Sequence, residues 1–243
     1  MTMQARFRGA VVAAAALGGL LAAGCTPAPA TPNADYQFPT GYGTACASAP
    51  GPALDVIPAG QADFSRETEN VDGVSKLVIR FSRGTGFVLA PTTGELGNTT
   101  YSVAVLFRFS DIGVFRRVLD FKHGTSDTGL YLAAGKLRLY PYTPSGPKTV
   151  AADEWVQVVL TRTTGGTVTG YVDGAQQWQL ADTSGVGTID GSNQLRFFRD
   201  NESAGTTTEH APGAVARIRV FNRALSATEV RDLGQLPSTP CAT

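Results

Sequence analysis

The sequence predicts an all-β protein built as a sandwich of two antiparallel sheets. The clearest sign is residues 101–109, where Tyr101 and every second residue as far as Phe109 are large, apolar and point one way. A period of two over such a run is the signature of a strand that buries one face. Glycine occurs 28 times and proline 14 times, which favours many turns and short strands over long helices. About ten short strands at this spacing are typical of a sandwich.

The further predicted strands are short, and most are divided by turn-forming residues. They cover residues 76–81, 116–121, 129–133, 136–140, 155–162, 167–172, 176–180, 194–199 and 214–221. Asp173-Gly174 separates two of these runs, and this pair favours a two-residue hairpin turn because both positions tolerate positive φ. The two strands that flank it are therefore expected to be antiparallel neighbours.

One short helix is predicted after the last strand. Ser226 and Glu229 have the spacing of a capping box, in which each side chain accepts a hydrogen bond from the backbone of the other. Leu225 and Val230 fit the hydrophobic staple that accompanies such a box. The helix is expected to end near residues 233–234, where a glycine follows a leucine.

The N-terminal residues 1–24 read as an export signal. Arg6 and Arg8 precede an apolar run, residues 10–23, that is shorter than the about 20 residues of a membrane-spanning helix. The small residues before Cys25 make the segment resemble a bacterial lipoprotein signal, although Ala22 stands where that pattern usually has leucine. The resemblance implies cleavage before Cys25, a diacylglycerol thioether on Cys25, and a protein held at the extracytoplasmic face of the cell membrane. The alternative is an ordinary secreted protein.

Residues 25–45 are rich in proline and glycine and are expected to form an extended tether. The globular domain is then expected to span residues 46–241. With Cys25 assigned to lipid, two of the three cysteines remain, Cys46 and Cys241. A disulfide between them is the simplest arrangement in an oxidising compartment; two free thiols or a metal-binding pair are the alternatives.

Three segments together resemble laminin G-type domains of the concanavalin A-like group. They are residues 154–174, with the Glu-Trp-Val-Gln-Val and Gly-Tyr-Val-Asp-Gly motifs; residues 213–230, a strand followed by a short helix; and Phe197-Phe-Arg-Asp-Asn201 with Glu209. The resemblance implies a jelly-roll sandwich and a non-catalytic role in glycan or protein recognition, with calcium in some members. Many members carry an acidic pair where this chain has Ala216-Arg217, which argues against calcium on that strand.

The charge pattern argues against two classes of function. Lys plus Arg and Asp plus Glu are both 20, so no basic face points to nucleic acid. A glycoside hydrolase needs paired carboxylates on one face, and most acidic residues here are scattered among turns. Glu67 and Glu69 stand two apart but are expected in a solvated loop. His123 and His210 have no nucleophile elbow nearby. Arg217 and Arg219 are expected on a solvated sheet face.

A loop near the C-terminal end offers a candidate calcium site. Asp200, Asn201 and Glu209 supply the carboxylate and amide oxygens that Ca²⁺ prefers on irregular chain. The alternative is a structural loop, in which Asp200-Asn201 form Asx-turn hydrogen bonds and Glu209 pairs with an arginine.

Four aromatic residues are candidate sugar contacts: Tyr140, Tyr142, Trp178 and Phe115. Tyr140 and Tyr142 would share a face only if the strand continued past Pro141, which an edge strand allows. Core packing is the alternative for each ring.

The function predicted from these observations is a non-catalytic, lipid-anchored recognition domain for a glycan or cell-envelope polymer. The alternative is a structural or protein-interaction module of the envelope without a small ligand, whose partner would be an extracellular protein. A glycoside hydrolase is the third and least supported class.

Overall fold

The computed structural model describes residues 30–39, 41, 43–57, 64–91, 94–200 and 207–234. Their strands and single α-helix are β1 (Ala34–Tyr36), β2 (Asp55–Ile57), β3 (Phe64–Val71), β4 (Val74–Phe81), β5 (Gly86–Leu89), β6 (Tyr101–Phe109), β7 (Phe115–Asp120), β8 (Gly129–Ala133), β9 (Lys136–Tyr140), β10 (Val156–Arg162), β11 (Thr167–Val172), β12 (Ala175–Ala181), β13 (Leu195–Phe197), β14 (Gly213–Phe221) and α1 (Ala227–Asp232). The predicted signal, Cys25, Asn201 and Cys241 lie outside the described residues.

The strands form two antiparallel sheets, which confirms the predicted sandwich. The larger, eight-stranded sheet has the order β12-β11-β10-β6-β14-β4-β3, and β1 also pairs with β14. The smaller, six-stranded sheet has the order β2-β5-β13-β7-β8-β9. The predicted hairpin joins β11 to β12, and both Asp173 (φ 46°) and Gly174 (φ 77°) have the positive φ that its turn requires.

The alternation of β6 positions the core as predicted. Tyr101, Val103, Val105, Phe107 and Phe109 all lie in the main core between the two sheets. The intervening Ala104 and Leu106 face the other way and pack in two smaller clusters on the outer side of the eight-stranded sheet. This sheet therefore buries both of its faces over much of its area.

The predicted tether is wrong for its last part, because residues 34–38 belong to the fold. Ala34, Tyr36 and Phe38 are fully buried in the main core, and β1 pairs with β14. Ala34, Tyr36 and Phe38 alternate as in a strand. The many prolines and glycines on both sides of them led to the prediction of a tether instead.

The solvated face expected for Arg217 and Arg219 is also wrong, since both arginines are buried. Arg217 makes an ion pair with Asp35 on β1. Arg219 donates hydrogen bonds to the backbone oxygens of Leu233 (2.8 Å) and Gly234 (2.7 Å) at the C-terminal end of α1. Each guanidinium thus holds a neighbouring segment of the chain against β14.

The short helix and its capping box are confirmed. Ser226 Oγ accepts the backbone N–H of Glu229 at 3.2 Å, and Glu229 Oε2 accepts the backbone N–H of Ser226 at 2.9 Å. Val230 and the flanking Leu225 and Leu233 pack on the outer side of the eight-stranded sheet. In the part of the chain that the structure describes, no helix has the length and apolar character to cross a membrane.

Cys46 joins the N-terminal segment to the fold. It is fully buried and disulfide-bonded, and its backbone N–H donates to the carbonyl oxygen of Asp35 at 2.7 Å. Both other cysteines lie outside the described residues, so the pairing of Cys46 with Cys241 stays a prediction.

Candidate functional site

The outer face of the six-stranded sheet carries the candidate site. On β7, β8 and β9, leucines and valines point into the core, so the alternate residues face outward. In the antiparallel register Arg117 lies opposite Tyr131, and Tyr131 lies opposite Arg138. Phe115 and Tyr140 follow the same alternation, so these five side chains share one surface.

Three aromatic rings meet on this surface. The ring centroids of Phe115 and Tyr131 lie 5.5 Å apart, those of Phe115 and Tyr140 lie 5.3 Å apart, and those of Tyr131 and Tyr140 lie 6.1 Å apart. Every pair is edge-to-face, with interplanar angles of 73–81°. Phe115 and Tyr140 were predicted as ring contacts, but Tyr131 was not, although it lies beside them through the pairing of β8 with β7 and β9.

Three carboxylates converge on the same place. Asp127, Asp200 and Glu209 each contribute an oxygen, and these oxygens lie within 4.8 Å of one another. Asp127 is exposed, Glu209 is half-buried, and Asp200 is 1% exposed. Asp200 and Glu209, two of the three candidate calcium ligands, thus lie close together, and calcium binding itself stays a prediction. Asp127, in the turn before β8, was not singled out from the sequence.

Arg117 compensates part of this negative charge from the buried side of the three carboxylates. Its side chain is fully buried, and its Nε donates a 2.8 Å hydrogen bond to Asp200 Oδ1. Its guanidinium carbon lies 4.2 Å from the centre of the Tyr131 ring. Tyr131 Oη lies 3.1 Å from Asp200 Oδ1 and 2.9 Å from Asp127 Oδ1. The buried Arg117 therefore holds Asp200 in place through an ion pair.

Glu209 is the carboxyl whose charge is least compensated. Burial, together with the hydrogen bond and negative charge of Asp200 and the charge of Asp127, raises its pKa to about 7, while Arg117 opposes the shift. Glu209 Oε2 is buried without a hydrogen-bond partner among the described residues. Near neutral pH this group is therefore poised between binding a proton and binding another positive group.

A small cavity opens between the rings and the carboxylates. Its volume is about 50 Å³, and it is lined by Phe115, Asp127, Tyr131, Tyr140 and Glu209. We call it the ring–carboxylate pocket. A space of this size holds a few water molecules or a small chemical group, so it can serve as one subsite for a larger ligand that extends over the surface.

The other two predicted ring contacts lie elsewhere. Tyr142 is 46% exposed, but β9 ends at Tyr140, so the two tyrosines do not continue along one strand and Tyr142 does not line the pocket. Trp178 lies in the main core, and its indole Nε1 donates a 3.0 Å hydrogen bond to the Leu137 carbonyl oxygen. The expectation of a surface contact is wrong for Trp178, because its ring fills the space above Gly170.

A second, more open hollow of about 440 Å³ lies beside β3, β4 and β14. The expectation of a solvated loop for Glu67 and Glu69 is wrong, because both lie on β3 and face the same way. Arg80 Nη1 is 3.3 Å from Glu67 Oε2, and Arg80 Nε is 3.0 Å from Glu69 Oε1. Arg108 Nη2 also lies 2.9 Å from Glu69 Oε1. Both carboxylates are thus held in ion pairs, unlike a hydrolytic acid pair.

The sequence matches a known family across this fold. Residues 82–231 match the Laminin_G_3 model, described as concanavalin A-like lectin/glucanases superfamily. This chain belongs to that family. The Laminin_G_3 match covers every strand that builds the ring–carboxylate pocket. It confirms the family resemblance and the concanavalin A-like jelly-roll fold. No curated protein matches the sequence.

Several solved structures share this fold. Domain 4 of AbnA, a GH43 extracellular arabinanase from Geobacillus stearothermophilus in complex with arabinotriose, has a TM-score of 0.61 at 13% identity, covering 85% of this chain and 100% of that one. The receptor-binding domain of botulinum neurotoxin type G gives 0.55 at 12%, covering 84% of this chain and 50% of that chain. The binding domain of Paraclostridial Mosquitocidal Protein 1 gives 0.56 at 14%, covering 78% and 49%. At these identities the likeness shows the fold alone.

Proposed function

We propose that this Laminin_G_3 protein is a non-catalytic glycan-recognition module, anchored by lipid at the extracytoplasmic face of the cell membrane. The observation that carries the proposal is the ring–carboxylate pocket, where Phe115, Tyr131 and Tyr140 meet Asp127 and Glu209. Aromatic rings pack against the apolar faces of sugars, and a few fixed polar groups orient the ligand. Carboxylate oxygens accept hydrogen bonds from sugar hydroxyls.

Two of the fold relatives support a sugar ligand. The arabinanase domain was solved with arabinotriose, and a structure of botulinum neurotoxin type C is described by its interaction with two ganglioside molecules. These are properties of those proteins. They support a glycan ligand as one use of this sandwich, and a protein ligand is the alternative, since the binding domain of botulinum neurotoxin DC was solved in complex with rat synaptotagmin II.

Binding without hydrolysis is the form of recognition that the pocket favours. A retaining glycosidase holds two carboxyl groups about 5–5.5 Å apart, both able to reach the sugar, whereas Glu209 is hydrogen-bonded to Asp200 and Asp200 is 1% exposed. The cavity of about 50 Å³ is also far below the about 300–1,000 Å³ of an ordinary ligand site. It has no room for sugar rings on both sides of a bond to be cleaved. A bound oligosaccharide should therefore be recovered intact.

A glycan array tests the proposal. The domain without its signal should bind at least one glycan class, and Tyr140→Ala and Phe115→Ala should each weaken that binding about tenfold or more. Tyr142→Ala is the matched control, since it removes an exposed aromatic ring next to the pocket without altering its lining. Binding to no glycan would refute the proposal and favour the envelope protein-interaction module. Weakening by Tyr142→Ala alone would move the site away from the pocket.

Lipid anchoring rests on Arg6, Arg8, the apolar residues 10–23 and Cys25. Labelled fatty acid should enter the wild-type protein and be absent from Cys25→Ser. Membrane fractionation should show the same difference. Equal labelling of both proteins would refute the anchor and leave secretion without lipid.

A further inference from the structure

We infer that the ring–carboxylate pocket takes a positively charged amino group, so that the recognised glycan carries a free amine, as an unacetylated amino sugar does. This inference rests on the proposed glycan function and specifies its ligand. It is carried by the coincidence of three features in one cavity: aromatic lining, an excess of carboxylates, and a volume that suits a small group.

The aromatic lining favours an organic cation. Phe115, Tyr131 and Tyr140 are mutually edge-to-face, and each ring face carries negative potential that attracts ammonium groups. Cages of several such rings bind quaternary ammonium groups, and a single ring face also attracts a primary ammonium group such as that of lysine. The tyrosines already attract cations from within the chain: Arg117 lies over Tyr131 at 4.2 Å and Arg138 over Tyr140 at 5.2 Å.

The charge balance leaves the pocket negative. Asp127, Asp200 and Glu209 converge there, and Arg117 is committed to Asp200 through the 2.8 Å hydrogen bond from its Nε. Arg138, whose guanidinium lies over the Tyr140 ring, donates through Nε to the carbonyl oxygen of Thr143 at 2.9 Å, and Arg116 is bonded to the carbonyl oxygen of Thr208 and to Asp111. Asp127 and Glu209 line the cavity, and Glu209 Oε2 has no hydrogen-bond partner among the residues described. An ammonium N–H would supply that partner.

The same lining suits an amine better than a calcium ion. Ca²⁺ requires about six to eight oxygen ligands, whereas rings make up three of the five residues that line this cavity. Asp200 Oδ1 already accepts from the buried Arg117, which places a positive charge close to any ion at that oxygen. An ammonium group on a carbon, in contrast, uses both the carboxylates and the rings. At about 50 Å³ the cavity holds such a group while the sugar ring rests outside.

A matched pair of glycans separates this inference from the proposed function. Calorimetry near neutral pH would compare a glucosamine tetrasaccharide with its fully N-acetylated form, which has the same backbone and no charge. The free amine should bind about tenfold more tightly or better. Glu209→Gln and Asp127→Asn should each remove most of that preference, while Tyr140→Leu should weaken binding of the charged form. Methylammonium chloride should compete more strongly than sodium chloride at equal ionic strength.

The outcomes are distinct. Equal binding of the two tetrasaccharides, or a preference that survives both carboxylate substitutions, overturns the amine inference and leaves glycan recognition standing. Binding of neutral glycans only would also overturn the amine inference and leave glycan recognition standing. A melting temperature that rises with calcium and not with the amine also overturns it, since the pocket would then hold a metal ion. Failure to bind any glycan on the array refutes the proposed function itself. Cooperative thermal unfolding of each variant serves as the folding control.

Discussion

Arg217 donates hydrogen bonds to both carboxylate oxygens of Asp35, from Nε at 2.9 Å and from Nη2 at 2.7 Å. The two residues are 182 positions apart in the chain and both are buried. The pair lies between β1 and β14, which are neighbouring strands. Removing one partner leaves an uncompensated charge in the interior, which costs far more than losing a surface pair.

Asp35→Ala should therefore destabilise the protein by about 3–5 kcal/mol. Asp232→Ala is the control, because it breaks an exposed ion pair with Arg231 and should cost no more than about 1 kcal/mol. Denaturant unfolding monitored by tryptophan fluorescence measures both. Similar losses in the two variants would mean that β1 contributes little to the folded state.

Gly170→Ala should disturb the core through a single methyl group. A Cβ at Gly170 would lie 2.4 Å from Trp178 Cζ2, so the indole must move, at a cost of about 1–3 kcal/mol. At Gly191 a Cβ meets nothing within 4 Å, and Gly191→Ala should be close to neutral. A change in the near-ultraviolet dichroism of tryptophan for the first variant alone would confirm the contact.

Glu209 should make stability fall as pH rises. Its pKa is raised from 4.5 to about 7 in the folded state, so between these values the native protein binds more protons than the unfolded chain and loses stability with increasing pH. The groups that face it are Arg117, Asp127, Tyr131, Asp200 and the neighbouring His210. Burial lowers the pKa of His210, which acts in the opposite direction at lower pH but equally in a Glu209→Gln variant.

Unfolding midpoints of the wild type and Glu209→Gln at a series of pH values test this. The difference between the two should grow in favour of the variant as pH rises from about 4.5 to about 7 and should level off above that pH. A constant difference would mean that Glu209 titrates normally and that its carboxylate is exposed to water.

Calcium at Asp200 and Glu209, together with the predicted Asn201, stays a prediction, and thermal melting tests it. Because Arg117 already pairs with Asp200, we expect neither added calcium nor a chelator to move the melting temperature. A rise with calcium that Asp200→Ala with Glu209→Ala abolishes would show a metal site instead, since a ligand of the native state raises stability by mass action. Asp200→Ala alone should destabilise by about 3–5 kcal/mol, because it leaves the buried Arg117 unpaired.

The predicted Cys46–Cys241 disulfide can be mapped directly. Peptides of exported protein digested without reductant should contain the two cysteines cross-linked, and Cys241→Ser should abolish that peptide. The stabilisation expected from closing so long a loop is about 4–5 kcal/mol in the chain-entropy model. A cross-link from Cys46 to Cys25 would exclude the lipid on Cys25 as well as this pairing.

The strands that alternate cleanly could be predicted, and those with mixed character could not. Residues 101–109 were predicted to the residue because one face of β6 is uniformly large and apolar. The polar run of β3 gave no such signal, since its outward residues Glu67 and Glu69 pair with Arg80 on the neighbouring strand β4 and with Arg108 on β6, further across the sheet. A strand held by charge pairs has the same composition as a loop.

The residues of the candidate site could be predicted in part from the sequence, but their proximity to one another could not. Loop chemistry pointed to Asp200 and Glu209, and exposed rings pointed to Phe115 and Tyr140, but nothing in sequence said that these two sets meet. The meeting depends on Asp200 and Glu209 both lying at the outer face of β7, where Arg117 donates a hydrogen bond to Asp200. Buried arginines such as Arg117, Arg217 and Arg219 look solvent-facing by pattern, because their partners are far away in the chain.

The position of β14 has a consequence for how the chain is made. This strand lies in the middle of the eight-stranded sheet and pairs with β6, β4 and β1, yet it is the last strand in the described chain. A ribosome delivers β1, β4 and β6 long before it, and during that interval these strands have unpaired backbone edges that invite association with other chains. The larger sheet can therefore close only as a late, cooperative step, and a nascent chain interrupted before residue 213 would need to be kept apart from its neighbours.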